Sequence, residues 1–107
     1  MSYWIYLEED GEAVPVETFT EGGTFAIGGE STATVNVTYN YARHFPFRAL
    51  HGRTGAETLP ELEQAVEQLG TERSNDYWEP TPGNAGAAVA LLRDWARQHP
   101  AATWAIS

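Results

Sequence analysis

The stretch Thr34-Val35-Asn36-Val37-Thr38-Tyr39-Asn40-Tyr41 alternates polar residues with apolar or aromatic ones. Because successive side chains of a β-strand point to opposite faces, this period of two predicts a strand with one buried face. Asn36, Thr38 and Asn40 would then project side by side from the face opposite the core. The stretch decides the class of fold, since it places a sheet in the first half of the chain.

Shorter strand patterns precede this stretch, and turn residues separate them. An apolar run at residues 3–7 ends in the acidic turn Glu8-Glu9-Asp10-Gly11, and further strands are predicted at residues 13–19 and 24–27. Pro15 lacks an amide hydrogen, so the strand that contains it is predicted to be short or at an edge. The chain closes with a predicted strand at residues 101–106.

The period changes to that of a helix in the second half. Apolar residues recur at spacings of three and four, at Leu59, Leu62, Val66 and Leu69. Thr58 with Glu61 forms a capping-box pattern, and Gly70 is placed to end this helix. A second helix is predicted from Asn84, a good N-cap, to His99.

Strands followed by two helices and a last strand indicate an α+β fold. We predict an antiparallel sheet of about four to five strands with both helices packed on one face. The length of 107 residues suits a single globular domain, residues 1–107. The residues expected to be buried between helices and sheet are Leu62, Val66, Leu92 and Trp95.

The composition argues against several classes of protein. The chain has no cysteine, so a disulfide framework and a Cys-based metal site are excluded. Fifteen acids against six arginines give a formal net charge of -9, which disfavours direct nucleic-acid binding. No apolar run approaches the ~20 residues of a membrane helix, and residues 1–4 show no basic leader. We therefore expect a cytoplasmic protein without a membrane or nucleic-acid partner.

Charge is distributed unevenly along the chain. Residues 31–56, called the basic segment below, contain no Asp or Glu. Its basic residues are Arg43, His44, Arg48, His51 and Arg53. Arginine binds phosphate or carboxylate through two parallel hydrogen bonds and stacks on aromatic rings, so the basic segment is a candidate anion site. The alternative is that these arginines pair with surrounding acids or cover apolar surface.

Two glycine-containing stretches extend this candidate site. Gly52 and Gly55 flank Arg53 and Thr54, so backbone amides just before the first helix are candidates for contact with an anion. An ordinary connection between strand and helix explains the same glycines. The helix that begins at Asn84 has no acid in its first two turns, so its positive dipole end is a further candidate. Simple N-capping by Asn84, with small residues packed on the sheet, is the alternative.

Aromatic residues near these stretches are candidates for stacking on a ligand ring. They are Tyr39, Tyr41, Phe45, Phe47, Tyr77 and Trp78. The alternation of Tyr39 and Tyr41 with Asn40 favours a place in the core for many of them. The ligand-binding residues predicted from the sequence are Arg43, His44, Arg48, His51, Arg53, Thr54, Tyr77, Trp78 and Asn84.

Patterns of a catalytic centre are absent from the sequence. The chain has neither a GxSxG elbow nor an HExxH metal pair, and His44 and His51 lie seven residues apart in an irregular segment. His99 at a helix end is explained by compensation of the helix dipole. We therefore predict a binding protein, without cofactor or metal, rather than an enzyme.

The stretch from Leu69-Gly70-Thr71-Glu72-Arg73 to Asp76-Tyr77-Trp78-Glu79-Pro80-Thr81-Pro82-Gly83-Asn84-Ala85-Gly86 resembles a small uncharacterised family of phage and prophage proteins. The resemblance extends from Tyr3-Trp4-Ile5 through residues 35–41 to His99-Pro100, which is nearly the whole chain. It implies an accessory role in a phage or mobile element. It brings no known activity and no assigned site residues.

Two functions are consistent with these features. The first is a non-enzymatic protein that sequesters an anionic, nucleotide-like small molecule at the basic segment. The second is an acidic interaction module that inhibits a host protein by docking on a basic surface, as a nucleic-acid mimic does. Neutralising the arginines would destroy the first activity, and neutralising the glutamates the second. The aromatic content and the small residues of the second helix also predict a homodimer.

Overall fold

The computed structural model describes residues 1–14, 24–28, 33–76 and 78–107. Most of the strand predicted at residues 13–19, a predicted turn at residues 21–23 and the predicted site residue Tyr77 lie outside the described residues. The strands are β1 (Ser2–Glu9), β2 (Glu12–Ala13), β3 (Thr24–Gly28), β4 (Ala33–Thr38) and β5 (Thr103–Ile106). The helices are α1 (Gly55–Leu69) and α2 (Pro82–Gln98), with short 3₁₀ helices at Tyr39–Arg43 and Phe47–Leu50.

The described strands form one antiparallel sheet around β1. Strand β1 pairs with β4, with Ile5 opposite Val35, and with β5, with Leu7 opposite Trp104. Strand β3 pairs with β4, and the two-residue β2 pairs with the end of β1. The predicted antiparallel sheet and the α+β class are confirmed.

Both helices pack on one face of this sheet, as predicted. The core contains inward strand residues and residues from both helices, among them Ile5, Leu7, Val35, Val37, Leu62, Val89, Leu92, Trp95 and Trp104. Leu62, Leu92 and Trp95 are fully buried, as their helical spacing predicted. Val66 is half-buried and packs against the edge of the same core.

The strand predicted at residues 34–41 is shorter in the structure. Strand β4 ends at Thr38 because the Thr38 hydroxyl oxygen accepts the amide hydrogen of Asn40 at 3.2 Å and caps the 3₁₀ helix that follows. The predicted polar row is therefore wrong, since Asn40 has left the strand and Thr38 is buried. Asn36 remains on the strand and donates to the Ser2 hydroxyl at 2.8 Å.

Helix α1 begins one turn earlier than predicted. Its N-cap is Thr54, whose hydroxyl accepts the Glu57 amide hydrogen at 3.1 Å while the Glu57 carboxylate accepts that of Thr54. The pair Thr58 and Glu61, from which the start was predicted, has the same spacing as Thr54 and Glu57, and a proline such as Pro60 is common in a first helical turn. In the structure Thr58 and Pro60 both lie inside the helix, so the predicted capping box is wrong. Gly70 ends the helix as predicted, with a φ of +74° that favours glycine.

Helix α2 also begins before the predicted residue. Its N-cap is Thr81, whose hydroxyl accepts the Asn84 amide hydrogen at 3.0 Å, and Pro82 follows at the first helical position. The prediction of Asn84 as N-cap is therefore wrong. Asn84 lies in the first turn, 2% exposed, where its side chain serves the preceding loop.

Candidate functional site

The backbone amides around the start of α1 donate hydrogen bonds to other backbone groups of the protein. The hydrogen bonds are Gly52 N to Trp104 O at 2.9 Å, Gly55 N to Ala102 O at 2.8 Å and Ala56 N to Pro100 O at 2.8 Å. The residues between α2 and β5, together with β5, therefore occupy the donors that sequence analysis assigned to an anion. That assignment is wrong, and the stretch from Gly52 to Gly55 is a connection anchored to the end of the chain.

Arg53 is engaged by α1. Its guanidinium donates two hydrogen bonds to the Glu61 carboxylate, at 3.1 and 2.5 Å. The bond to Arg53 lowers the pKa of Glu61, and the same bond raises the pKa of Arg53. The structure thus places Arg53 in a surface ion pair, and Thr54 beside it caps α1.

Arg48 and His51 have separate neighbours. The Arg48 guanidinium carbon lies 5.4 Å from the centre of the Tyr3 ring, in a cation–π contact. The His51 Nδ1 atom accepts the amide hydrogen of Ile106 at 3.0 Å and so joins the basic segment to β5. These contacts point Arg48 and His51 to different parts of the molecule.

Asn84 organises the loop between the two helices. Its Oδ1 atom accepts the Ser74 amide hydrogen at 2.9 Å. Its Nδ2 atom donates toward the Ser74 hydroxyl, the Asp76 carbonyl and the Glu79 carbonyl, at 3.0, 3.1 and 2.9 Å. Because the buried Asn84 amide is fully bonded within the protein, it shapes the loop rather than offering hydrogen bonds to a ligand.

The first 3₁₀ helix packs on the other side of this loop. His44 Nε2 donates to the Pro80 carbonyl at 2.8 Å, and Asn40 Nδ2 donates to the Trp78 carbonyl at 2.8 Å. Side chains three residues apart eclipse each other in a 3₁₀ helix, so Arg43 lies on the same side as Asn40. Of the predicted site residues, the loop contains Trp78 and is bonded by His44 and Asn84, whereas Arg43 is exposed at the end of the 3₁₀ helix.

Three of the five candidate stacking residues that the structure describes belong to the core. Those that are buried are Tyr41, Phe45 and Phe47. Tyr39 packs on Tyr3, with ring centres 4.5 Å apart. Trp78 differs, since it is 49% exposed on the loop that Asn84 holds. Among these described rings, Trp78 is the one whose surface is most open to a ligand.

An open cleft lies between the end of α1 and the start of α2. Its volume is about 420 Å³, which suits a small ligand. Its lining residues are Leu69, Gly70, Glu72, Arg73, Ser74, Thr81 and Gly83. The cleft thus combines one arginine, one acid, two hydroxyls and an apolar side chain.

Two glycines of α2 allow the loop to approach the helix and form this cleft. A Cβ atom at Gly83 would overlap the carbonyl oxygen of Glu72, and one at Gly86 would overlap that of Gly70. The backbone at these two glycines is therefore covered by the connection between the helices. The suggested packing of the small residues on the sheet is therefore wrong at Gly86.

The electrostatics of the cleft depend on α2 and Arg73. Helix α2 is 17 residues long with no acid in its first turn, so the positive end of its dipole is uncompensated. Burial raises the pKa of the Tyr41 hydroxyl, and the nearby charge of Arg73 acts in the opposite direction. Arg73 therefore adds positive potential beside the helix start, which Glu72 partly offsets.

Sequence reasoning missed Arg73, Ser74 and Thr81. A local signal existed for Thr81, because threonine is a common N-cap and the proline that follows it is common at the first helical position. No local pattern indicates the cleft itself, because it depends on α2 packing against the connection that follows α1.

No family model, curated protein or solved structure matches the chain. The resemblance to phage proteins stays a prediction. In the part of the chain that the structure describes, no group of three or more His, Asp or Glu side chains could hold a metal ion. Among the described residues there is also no helix long and apolar enough to cross a membrane.

Proposed function

We propose that the protein binds, and thereby sequesters, a small anionic ligand such as a nucleotide in the cleft between α1 and α2. The observation that supports this function is the position of Arg73 in an open cleft at the uncompensated start of α2. A phosphate group at this place gains from the guanidinium fork and from the helix dipole together. The resemblance to phage proteins suggests an accessory role in a phage or mobile element.

Each lining residue would contact a different part of the ligand. Arg73 bonds the phosphate oxygens, and the Thr81 hydroxyl, whose oxygen accepts the Asn84 amide hydrogen, donates its own hydrogen to the ligand. Leu69 packs against an apolar part of the ligand. Glu72 repels a second anionic group but accepts hydrogen bonds from hydroxyls, so a sugar phosphate or nucleotide fits better than a polyphosphate.

The loop is held in place before a ligand arrives. The Asn84 side chain bonds it from α2, while Asn40 and His44 bond the carbonyls of Trp78 and Pro80. A site that is already ordered loses less conformational entropy on binding. The predicted residues His44 and Asn84 therefore contribute to affinity through the shape of the loop.

Titration calorimetry with AMP, adenosine and inorganic phosphate tests the proposal. AMP should bind more tightly than adenosine, because only AMP carries the phosphate. Arg73→Ala should weaken AMP binding by about ten- to a hundredfold, the effect of losing a charge-assisted hydrogen bond. Arg73→Lys should recover part of this loss, since a point charge does not reproduce the planar fork. Glu72→Gln should tighten binding, because it removes a repelling charge.

Arg43→Ala and Arg53→Ala are matched controls, since each removes the same charge from outside the cleft. They should change AMP affinity by less than about twofold, as expected for screened surface charges. A large loss in Arg43→Ala with none in Arg73→Ala would place the site at the basic segment and contradict the cleft. A folded protein that binds none of the three probes would contradict the proposed function.

A further inference from the structure

The outer face of the sheet, opposite the helices, carries an exposed tryptophan. Ile5 and Leu7 point into the core, so their neighbours on β1 point outward. The outward positions on β1, β4 and β5 that are not buried are Ser2, Trp4, Tyr6, Glu8, Thr34, Asn36 and Thr103; Thr38 and Ala105 face the same way but are buried. Trp4 is 44% exposed. A single exposed apolar side chain is ordinary on a protein surface, so a docking surface here depends on the neighbours of Trp4.

Strand β1 forms a ridge on this face. Trp4, Tyr6 and Glu8 follow one another at two-residue spacing, about 6.8 Å from one Cα atom to the next. The neighbouring strand β5 presents smaller residues, with Ala105 opposite Tyr6 and Thr103 opposite Glu8. The ridge and the lower β5 row form a step along which an extended segment of another protein can lie.

The charge at this end of the sheet is negative. Glu8 is followed in the β1–β2 hairpin by Glu9, Asp10 and Glu12, and residues 1–14 contain no Arg or Lys. Within the described residues, the ion pairs involve other acids than Glu8. Planar cations are the groups that complement both an aromatic ridge and a neighbouring carboxylate.

We propose that this outer face docks an arginine-bearing segment of a partner protein. A guanidinium group stacks on Tyr6 and donates a forked pair of hydrogen bonds to Glu8, two positions along β1, while Trp4 stacks on another arginine of the segment. A second copy of the chain fits less well, because both copies carry a formal net charge of -9 and repel each other. The surface is separate from the cleft and does not depend on the ligand proposed for it.

Nuclear magnetic resonance titration with a synthetic peptide tests this docking surface. The probe is a twelve-residue peptide that alternates arginine with serine, and its counterpart has lysine in place of arginine. The chain has four tryptophans, so four indole signals report separately. The arginine peptide should shift the Trp4 indole signal and leave those of the buried Trp95 and Trp104 in place. The lysine peptide should bind about three- to tenfold more weakly, because its ammonium group does not stack as a plane.

Three variants separate specific docking from general attraction to an acidic protein. Trp4→Ala and Glu8→Gln should each weaken binding of the arginine peptide by about three- to tenfold. Glu67→Gln, which removes an equal charge from the exposed face of α1, should change it by less than about twofold. Arg73→Ala should leave peptide binding unchanged, which distinguishes this surface from the cleft.

Three results would overturn the proposal. A loss in Glu67→Gln as large as that in Glu8→Gln, or an unmoved Trp4 indole signal, would show unspecific charge attraction. The third is sedimentation showing a dimer of the wild-type protein that Trp4→Ala dissociates. That result would assign the surface to the homodimer predicted from the sequence.

Discussion

The basic segment has three arginines and no acid, whereas the cleft is lined by one arginine and one acid. Despite its charge, the basic segment has its backbone amides hydrogen-bonded to residues 100–104 and Arg53 paired with Glu61. The cleft offers less charge, but it has room for a ligand at the start of a helix. The structure therefore favours the cleft over the basic segment as the candidate site.

A methyl group added beside the cleft, at Gly86, should reduce stability much more than one added in the basic segment, at Gly55. Gly86→Ala places a Cβ atom in steric overlap with the carbonyl oxygen of Gly70. This overlap should destabilise the protein by about 3 kcal/mol, although alanine has a better helix propensity than glycine. Gly55→Ala meets the His99 carbonyl oxygen at 2.8 Å, so a smaller loss of about 1 kcal/mol is expected. Urea unfolding measures both. Equal losses in the two variants would show that the loop does not lie against α2 as described.

Removing the organiser of the loop gives the next largest effect. Asn84→Ala removes the partner of the Ser74 amide and one donor to each of the Asp76 and Glu79 carbonyls, which keep other partners, and should cost about 2 kcal/mol. Asn36→Ala is the matched control, because it removes one bond to Ser2 on the sheet and should cost less than about 1 kcal/mol. Chemical denaturation gives both values, and a neutral Asn84→Ala would refute the view that this side chain orders the loop.

Sequence periodicity was sufficient for the fold but not for the site. The alternation through Val35 and Val37 and the helical spacing of Leu62 are local patterns, and they predicted sheet, helices and core correctly. The helix starts were misplaced because each has two competing N-cap signals, Thr54 and Thr58 at α1, and Thr81 and Asn84 at α2. The cleft could not be predicted, since Gly83 and Gly86 show their purpose only when the preceding loop folds back on α2.

Two buried tryptophans test how firmly the start of α1 is anchored. Trp104 Nε1 donates to the buried Thr58 hydroxyl at 2.7 Å, whereas Trp95 Nε1 has no hydrogen-bond partner among the described residues. Trp104→Phe therefore loses a hydrogen bond worth about 1 kcal/mol that Trp95→Phe does not lose. Both variants also lose packing, so the difference between their unfolding free energies is the quantity to compare. A larger loss in Trp95→Phe would contradict this assignment.

The smallest expected effect is the pH dependence of the Arg53–Glu61 pair. The pKa of Glu61 is lowered in the folded protein by its bond to Arg53, from an ordinary value of 4.5. The pair therefore stabilises the fold above that pH, and the gain is lost as the pH falls through the folded pKa. Glu61→Gln should lower the urea midpoint slightly at pH 7, and this difference should shrink as the pH falls below 4.5. A larger difference at pH 3 would have the wrong sign.

The central claim is that a ligand enters the cleft rather than the basic segment. Titration of the ¹⁵N-labelled protein with AMP locates the site directly, because each amide signal reports its own surroundings. The account predicts that the Arg73, Ser74 and Gly83 amide signals shift together with one dissociation constant, while those of Arg48 and Arg53 stay in place. Shifts confined to residues 43–53, with the cleft signals unmoved, would contradict it.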